Sequence, residues 1–242
     1  TNPQPSMEPP RLEKPLEREN EGLIRRLLHF SRFARALNPL NPFNHEVAGD
    51  LLARTEDWEG SVEAYQQALE LSPERVWTLW GLAKGLEHLG RVEDARELLL
   101  RGLDRHWSFY RSWLVFSEFL VRQGQEDEAA ALLERGLTVL EYDRDRLVVP
   151  FFDAVSSFQS TESAASRLRK IAEQRTGDMA LLSRVENLLE SNGQRGHAVA
   201  LLRHTVEASP GNVQAHYRLG KLLSRDVSTH EEGKRALERA LE

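Results

Sequence analysis

A repeat of 34 residues is the feature that most constrains how this chain can fold. Gly90 and Ala95 recur 34 positions later as Gly124 and Ala129. Two antiparallel helices of about a dozen residues each, joined by short turns, account for such a period. One helix pair cannot bury its own apolar face, so neighbouring pairs must stack. The period therefore predicts an all-α chain of stacked helix pairs.

Several segments resemble the tetratricopeptide repeat (TPR) family. VAGDLLARTEDWEGSVEAYQQALELSP, residues 47–73, resembles the family's repeat almost throughout. In it Gly49 permits close helix approach, Trp58 opens the second helix and Ala68 is the small contact residue. Trp113 matches the bulky first-helix position of a later copy, and weaker copies follow towards the C-terminus. The resemblance implies a right-handed α-solenoid of about six TPR-like helix-turn-helix repeats with an N-terminal capping helix.

The chain divides into segments on this basis. Pro150 interrupts the fourth repeat, so we expect its first helix to begin near Val148, with Phe151, Phe152 and Phe158 in the core. We predict a flexible proline-rich tether over 1–15, the capping helix over 16–41, three regular repeats over 42–143, an irregular fourth repeat over 144–178, and two further repeats over 179–242, the last one truncated.

Composition excludes several kinds of function. A net charge of -6 argues against nucleic acid as the main partner, and no apolar run is long enough for a membrane span. There is no cysteine, and the eight histidines form no recognisable metal-ligand motif. We therefore expect no catalysis, cofactor or metal in this stretch. The cytoplasm is the favoured compartment, although the absence of cysteine leaves the periplasm open.

In a TPR-like stack the first helices line a concave groove. Resemblance and helical phase place ten candidate partner-binding residues there: Trp77, Trp80, Lys84, His88, Arg111, Leu114, Arg122, Tyr217, Lys221 and Arg225. The same surface includes Phe43, Glu46, Asp50, Glu118, Phe152 and Asn187. Such a mixture of aromatic and basic side chains suits a peptide with apolar anchors and acidic flanks. Packing of Trp77 and Trp80 against the next repeat is the alternative.

The predicted function is a non-catalytic scaffold that binds a protein or peptide partner in this groove, in an oligomeric state that the sequence leaves open. Some TPR proteins hold the terminal carboxylate of chaperone tails, but Glu46 and Asp50 would repel such a tail. Two other functions stay open. The repeats could be the substrate-recruiting arm of a larger enzyme, such as a glycosyltransferase or sulfotransferase. The segment around Trp113 also resembles half-a-TPR repeats, which suggests a scaffold in an RNA-processing complex. We expect the chain to be a piece of a longer protein.

Overall fold

The computed structural model describes residues 21–241 and contains, in that range, thirteen α-helices and no strand. The expected all-α repeat architecture is confirmed. The predicted tether, and residues 16–20 of the predicted capping helix, lie outside the described residues. The chain forms two compact units, residues 1–99 and 100–242. No helix within the described range is both long enough and apolar enough to cross a membrane.

The first unit contains four complete helices and the beginning of a fifth. They are α1 (Glu21–Leu37), α2 (Pro42–Arg54), α3 (Trp58–Leu71), α4 (Val76–His88) and α5 (Val92–Arg105), which continues into the second unit. Helix α1 packs on α2, α2 on α3 and α3 on α4, and α2 also contacts α4. The α2–α3 crossing is close because Gly49 faces the fully buried Ser61, whose hydroxyl donates to the Gly49 carbonyl at 2.9 Å.

The second unit continues the alternation. Its helices are α6 (Tyr110–Arg122), α7 (Glu126–Val139), α8 (Val148–Phe158), α9 (Thr161–Glu173), α10 (Met179–Ser191), α11 (Arg195–Ala208), α12 (Val213–Leu223) and α13 (His230–Arg239). Consecutive helices pack together, and α8 also contacts α10 while α9 contacts α11. In the fourth and fifth repeats the first helices therefore contact each other, and so do the second helices.

Small residues recur where the second helices cross their neighbours. Ala129, Ala164 and Ala198 hold equivalent places in α7, α9 and α11, and each is fully buried. Leu133 and Leu168 follow four residues after the first two and are also buried. The alanines permit close helix approach, while each buried leucine contributes roughly 1.5–3 kcal/mol. The sequence repeat is thus a repeat of packing positions.

Glycines end the first helices of two repeats in the second unit. Gly124 follows α6 and Gly193 follows α10, both with φ of +72°. This left-handed conformation favours glycine, and it lets the next amide donate back to a leucine carbonyl at 2.9 and 2.8 Å. After α8 the equivalent residue is Gln159, with φ of -122°, so the fourth repeat ends its first helix differently.

The fourth repeat also begins differently. A 3-10 segment, Arg144–Leu147, leads into α8, which begins at Val148 and holds Pro150 in its first turn. Phe151 and Phe152 are buried, as expected for core residues. The prediction that Phe158 is a core residue is wrong, because the last residue of α8 projects its ring towards solvent.

Candidate partner-binding surfaces

The ten candidate residues are divided between the two units. Trp77, Trp80, Lys84 and His88 lie on α4 in the first unit. The other six are in the second unit, three on α6, two on α12 and Arg225 just beyond the end of α12. We describe each unit's surface separately. The α2/α4 face is the surface formed by Phe43 and Asp50 on α2 with Trp77, Lys84 and His88 on α4.

The two tryptophans of α4 form an edge-to-face pair. Their ring centroids are 4.7 Å apart and their planes are inclined at 86°. Trp80 is only 8% exposed, whereas Trp77 is partly exposed. Edge-to-face packing of this kind contributes about 0.5–1.5 kcal/mol beyond burial. Trp80 therefore holds the Trp77 ring in place and offers little surface of its own to a partner.

His88 is also held by an aromatic ring. It stacks on Trp58, the first residue of α3, with centroids 3.7 Å apart and planes inclined at 4°. The histidine remains exposed, so one ring face is covered and its edge stays accessible. The resemblance assigned Trp58 to the start of the second helix. The repeat pattern did not indicate that Trp58 would contact His88.

Glu46 is engaged within the protein. It is buried on α2, and Oε2 accepts a hydrogen bond from Nε of Arg75 at 2.8 Å and a second from Nη2. Arg75 is the N-cap residue of α4, so this pair joins the first helices of two successive repeats. Charge-assisted hydrogen bonds between a guanidinium and a carboxylate are among the stronger polar contacts. Glu46 is therefore not available to repel a bound anion.

Asp50 is satisfied by a buried tyrosine. The hydroxyl of Tyr65, on α3, donates to Oδ1 of Asp50. Burial raises the pKa of Asp50, and the hydrogen bond from Tyr65 acts in the opposite direction. Burial and the neighbouring carboxylate also raise the pKa of Tyr65, so the phenol remains a donor. The charge of Lys84 favours the ionised carboxylate.

Two glycines make room for the tyrosine. A Cβ on Gly49 would lie 2.8 Å from the Tyr65 ring, and one on Gly81 would also collide with it. The ring therefore fills the space between α2 and α4 and reaches Asp50 from behind. Leu99 and Leu133 hold the equivalent places in later repeats. The sequence signal for this contact was a tyrosine at a repeat position where later repeats have leucine. Only the structure shows that the partner of this tyrosine is Asp50.

The α6 surface of the second unit carries acids as well as bases. Arg111 and Leu114 are partly exposed, and Arg122 is exposed. Glu118 lies between the two arginines on the same helix, and partial desolvation raises its pKa while both arginines lower it. Asp153 occupies the equivalent place on α8, where desolvation raises its pKa too.

Phe152 does not line this surface. It is 3% exposed, so the expectation that it belongs to the groove is wrong. One residue is inserted before α8 relative to the 34-residue period, which moves every following side chain by about 100° around the helix axis. Asp153 consequently takes the surface position, while Phe152 takes the interior position that Ser117 holds on α6.

The α12 candidates differ in their surroundings. Tyr217 is 51% exposed and Lys221 is exposed. Arg225, which follows α12, forms an ion pair with Glu190 of α10. It therefore joins successive repeats, as Arg75 does in the first unit. Asn187, on α10, is exposed.

Comparison with known proteins assigns the repeats to a family. Residues 46–108 match the tetratricopeptide repeat family model. Residues 46–108 therefore contain tetratricopeptide repeats. Members of this family typically mediate protein–protein interactions. The match begins in α2 and ends between α5 and α6, so it includes the whole of α4.

The known proteins that this chain resembles are distant from it in sequence. It is 29% identical over 115 residues to tetratricopeptide repeat protein 7A of Homo sapiens, a match that covers 46% of this chain but only 13% of that protein. The APC/C hetero-tetramer Cut9–Hcn1 shares the fold, with a TM-score of 0.50 and 12% identity over 92% of this chain and 47% of that one. YrrB, a TPR protein with an unusual peptide-binding site, is 17% identical with a TM-score of 0.44, over 76% of this chain and 95% of its own.

Metal-binding clusters are not evident among the residues that the structure describes. Within residues 21–241 no three histidine, aspartate or glutamate side chains converge as they would around a metal ion. His197 contacts Glu162 at 2.7 Å, which joins α11 to α9. His204, two turns further along α11, donates from Nε2 to the Glu173 carbonyl at 3.2 Å. Both histidines thus contact α9, as second-helix stacking requires.

Proposed function

We propose that this TPR chain is a non-catalytic scaffold that binds a segment of a protein partner on the α2/α4 face. The observation that carries the proposal is the arrangement of Trp77 and Lys84. Trp77 is partly exposed and braced by Trp80, and Lys84 is exposed seven residues, or about two turns, further along α4. A rigid aromatic ring beside a basic side chain is a typical anchor in protein interfaces.

The internal engagement of the acids supports an acidic partner. Glu46 is paired with Arg75, and Asp50 accepts a hydrogen bond from Tyr65. The repulsion that the sequence predicts between these acids and a carboxylate is therefore reduced. Lys84 can then attract an acidic side chain of the partner, although its positive charge also interacts with the Asp50 carboxylate.

The proposed ligand is a peptide with one large apolar side chain and an acidic side chain a few residues away. The apolar side chain packs on Trp77, and the acidic one pairs with Lys84. Burial of an aromatic anchor typically contributes about 2 kcal/mol or more to binding. The exposed ion pair with Lys84 adds at most about 1 kcal/mol, so it provides orientation more than affinity.

In the second unit we propose a separate and weaker contact surface. Tyr217 and Lys221 also combine an exposed aromatic ring with a lysine on the same helix, here four residues apart instead of seven. The acids Glu118 and Asp153 on α6 and α8 argue against RNA as a ligand of that unit, because phosphates would be repelled. A role in recruiting substrate for an attached enzyme would use the same peptide-binding surfaces.

A peptide display selection against the full chain tests this proposal. Selected peptides are then synthesised, and their affinities are measured by fluorescence anisotropy. We expect Trp77→Ala to weaken binding by at least about thirtyfold, and Lys84→Glu to weaken it by about fivefold or more. Trp107→Ala is the matched control, since Trp107 is 52% exposed in the second unit. Selected peptides whose affinity is the same for Trp77→Ala and the wild type would refute the site.

A further inference from the structure

One surface of the first unit is not explained by partner binding on the α2/α4 face. Helix α1 carries an exposed apolar stripe of six side chains: Leu23, Leu27, Phe30, Phe33, Leu37 and Leu40 just beyond its end. Their exposed fractions run from 42% for Leu27 to 76% for Leu40. At 100° per residue, the five that lie on the helix fall within an arc of about 120°. Contiguous apolar surface of this kind usually marks an interaction site.

The opposite side of α1 is already occupied. Ile24 and Ser31 are buried where α1 packs on α2. Asn44 of α2 holds the end of the helix, because its Nδ2 donates to the carbonyl of Ala34 at 3.0 Å and to that of Asn38 at 3.2 Å. A partner can therefore reach α1 from one side only. A groove that encloses a helix does not fit this arrangement.

The charge of the segment is the second observation. Residues 22–45 contain four arginines and no acidic residue, in a chain whose net charge is -6. Arg25, Arg26 and Arg32 are exposed. Arg25 and Arg32 lie on the solvent side of the helix, and Arg26 falls within the arc of the stripe, between Phe33 and Leu37. Two copies of the chain joined through this stripe would bring their Arg26 side chains together, which disfavours a homodimer.

We propose that the α1 stripe binds the surface of an anionic lipid bilayer. A helix with phenylalanine and leucine on one face and arginine on the polar face is the pattern of an interfacial helix that lies in the membrane plane. The apolar side chains enter the boundary between headgroups and acyl chains. The arginines contact lipid phosphates and carboxylates, and their long side chains can reach the headgroups from the solvent side. The bilayer is a flat partner, which suits a helix that is accessible from one side.

Vesicle co-sedimentation with the full chain tests this proposal. The probes are phosphatidylcholine vesicles with and without phosphatidylserine. We expect the chain to sediment with the phosphatidylserine vesicles and much less with phosphatidylcholine alone. Phe30→Ser/Phe33→Ser should weaken binding by at least about tenfold per ring. Arg25→Gln/Arg32→Gln should weaken it by about fivefold per arginine.

Matched controls are available in the second unit. Tyr142 and Val227 are 78% and 96% exposed, so Tyr142→Ser/Val227→Ser removes equally accessible apolar surface far along the chain. Arg101→Gln/Arg135→Gln removes two exposed arginines. Both controls should bind vesicles as the wild type does, and circular dichroism should show that every variant is folded.

Three results would overturn the proposal. One is absence of sedimentation with phosphatidylserine vesicles, and another is equal binding to phosphatidylcholine alone. The third is wild-type binding by the Phe30→Ser/Phe33→Ser variant. If the stripe instead binds an acidic amphipathic peptide while vesicles are ignored, its partner is a protein. Because Trp77 and Lys84 are unchanged in all these variants, peptide binding on the α2/α4 face is tested independently.

Discussion

Removal of one hydroxyl group should destabilise the first unit measurably. In Tyr65→Phe the ring keeps its place between Gly49 and Gly81, so no cavity forms. The half-buried Asp50 carboxylate loses the hydrogen bond that Tyr65 donates to it. Hydrogen bonds to charged groups contribute roughly 1.5–3 kcal/mol. We therefore expect the free energy of unfolding to fall by about 2 kcal/mol.

Urea unfolding of the full chain, followed by circular dichroism, measures this change, and amide hydrogen exchange in α2 and α3 localises it. Tyr142→Phe is the matched control, because that ring is exposed and the variant should lie within about 0.5 kcal/mol of the wild type. A double-mutant cycle with Asp50→Asn isolates the pair. The reasoning fails if Tyr65→Phe costs less than about 0.5 kcal/mol, or if the cycle shows no coupling between Tyr65 and Asp50.

Three further outcomes follow from individual contacts. Burial raises the pKa of Asp50, so the folded protein holds this proton more tightly than the unfolded chain does. The wild type should therefore lose stability relative to Asp50→Asn as the pH rises from about 4 to about 7, as measured by the urea midpoints of the two proteins. A difference between these midpoints that stays the same at both pH values would contradict the raised pKa of Asp50. Gly136→Ala should destabilise the second unit by about 1–3 kcal/mol, because the added Cβ would lie 3.0 Å from the Trp113 ring. A melting temperature equal to that of the wild type would argue against this packing. Arg218→Leu should lower the free energy of unfolding in urea by about 2–4 kcal/mol, because it leaves Glu186 buried without its ion pair. The double variant Glu186→Leu/Arg218→Leu should recover much of this loss, and a double variant as unstable as the single one would contradict this account.

The period could be read without coordinates because each repeat uses the same packing positions. Ala95 and Ala129 recur since close helix crossings admit only small side chains. Trp113 was expected to be structural, and it is 2% exposed with its indole Nε1 donating to the Trp107 carbonyl at 2.7 Å. Phe152 and Phe158 were harder to place. One inserted residue changes the helical phase of Phe152, and Phe158 is exposed because it is the last residue of α8.

The sequence by itself determined the all-α repeat architecture, because apolar and small residues recur with the period of a helix pair. It also identified α4 as the helix that carries Trp77 and Lys84. Only the tertiary structure decided which of these side chains are accessible. Trp80 is buried beside Trp77, Glu46 is paired with Arg75 and Asp50 accepts from Tyr65. Whether these residues meet depends on their side-chain rotamers and on the packing of neighbouring helices. The repeat period encodes neither the rotamers nor this packing.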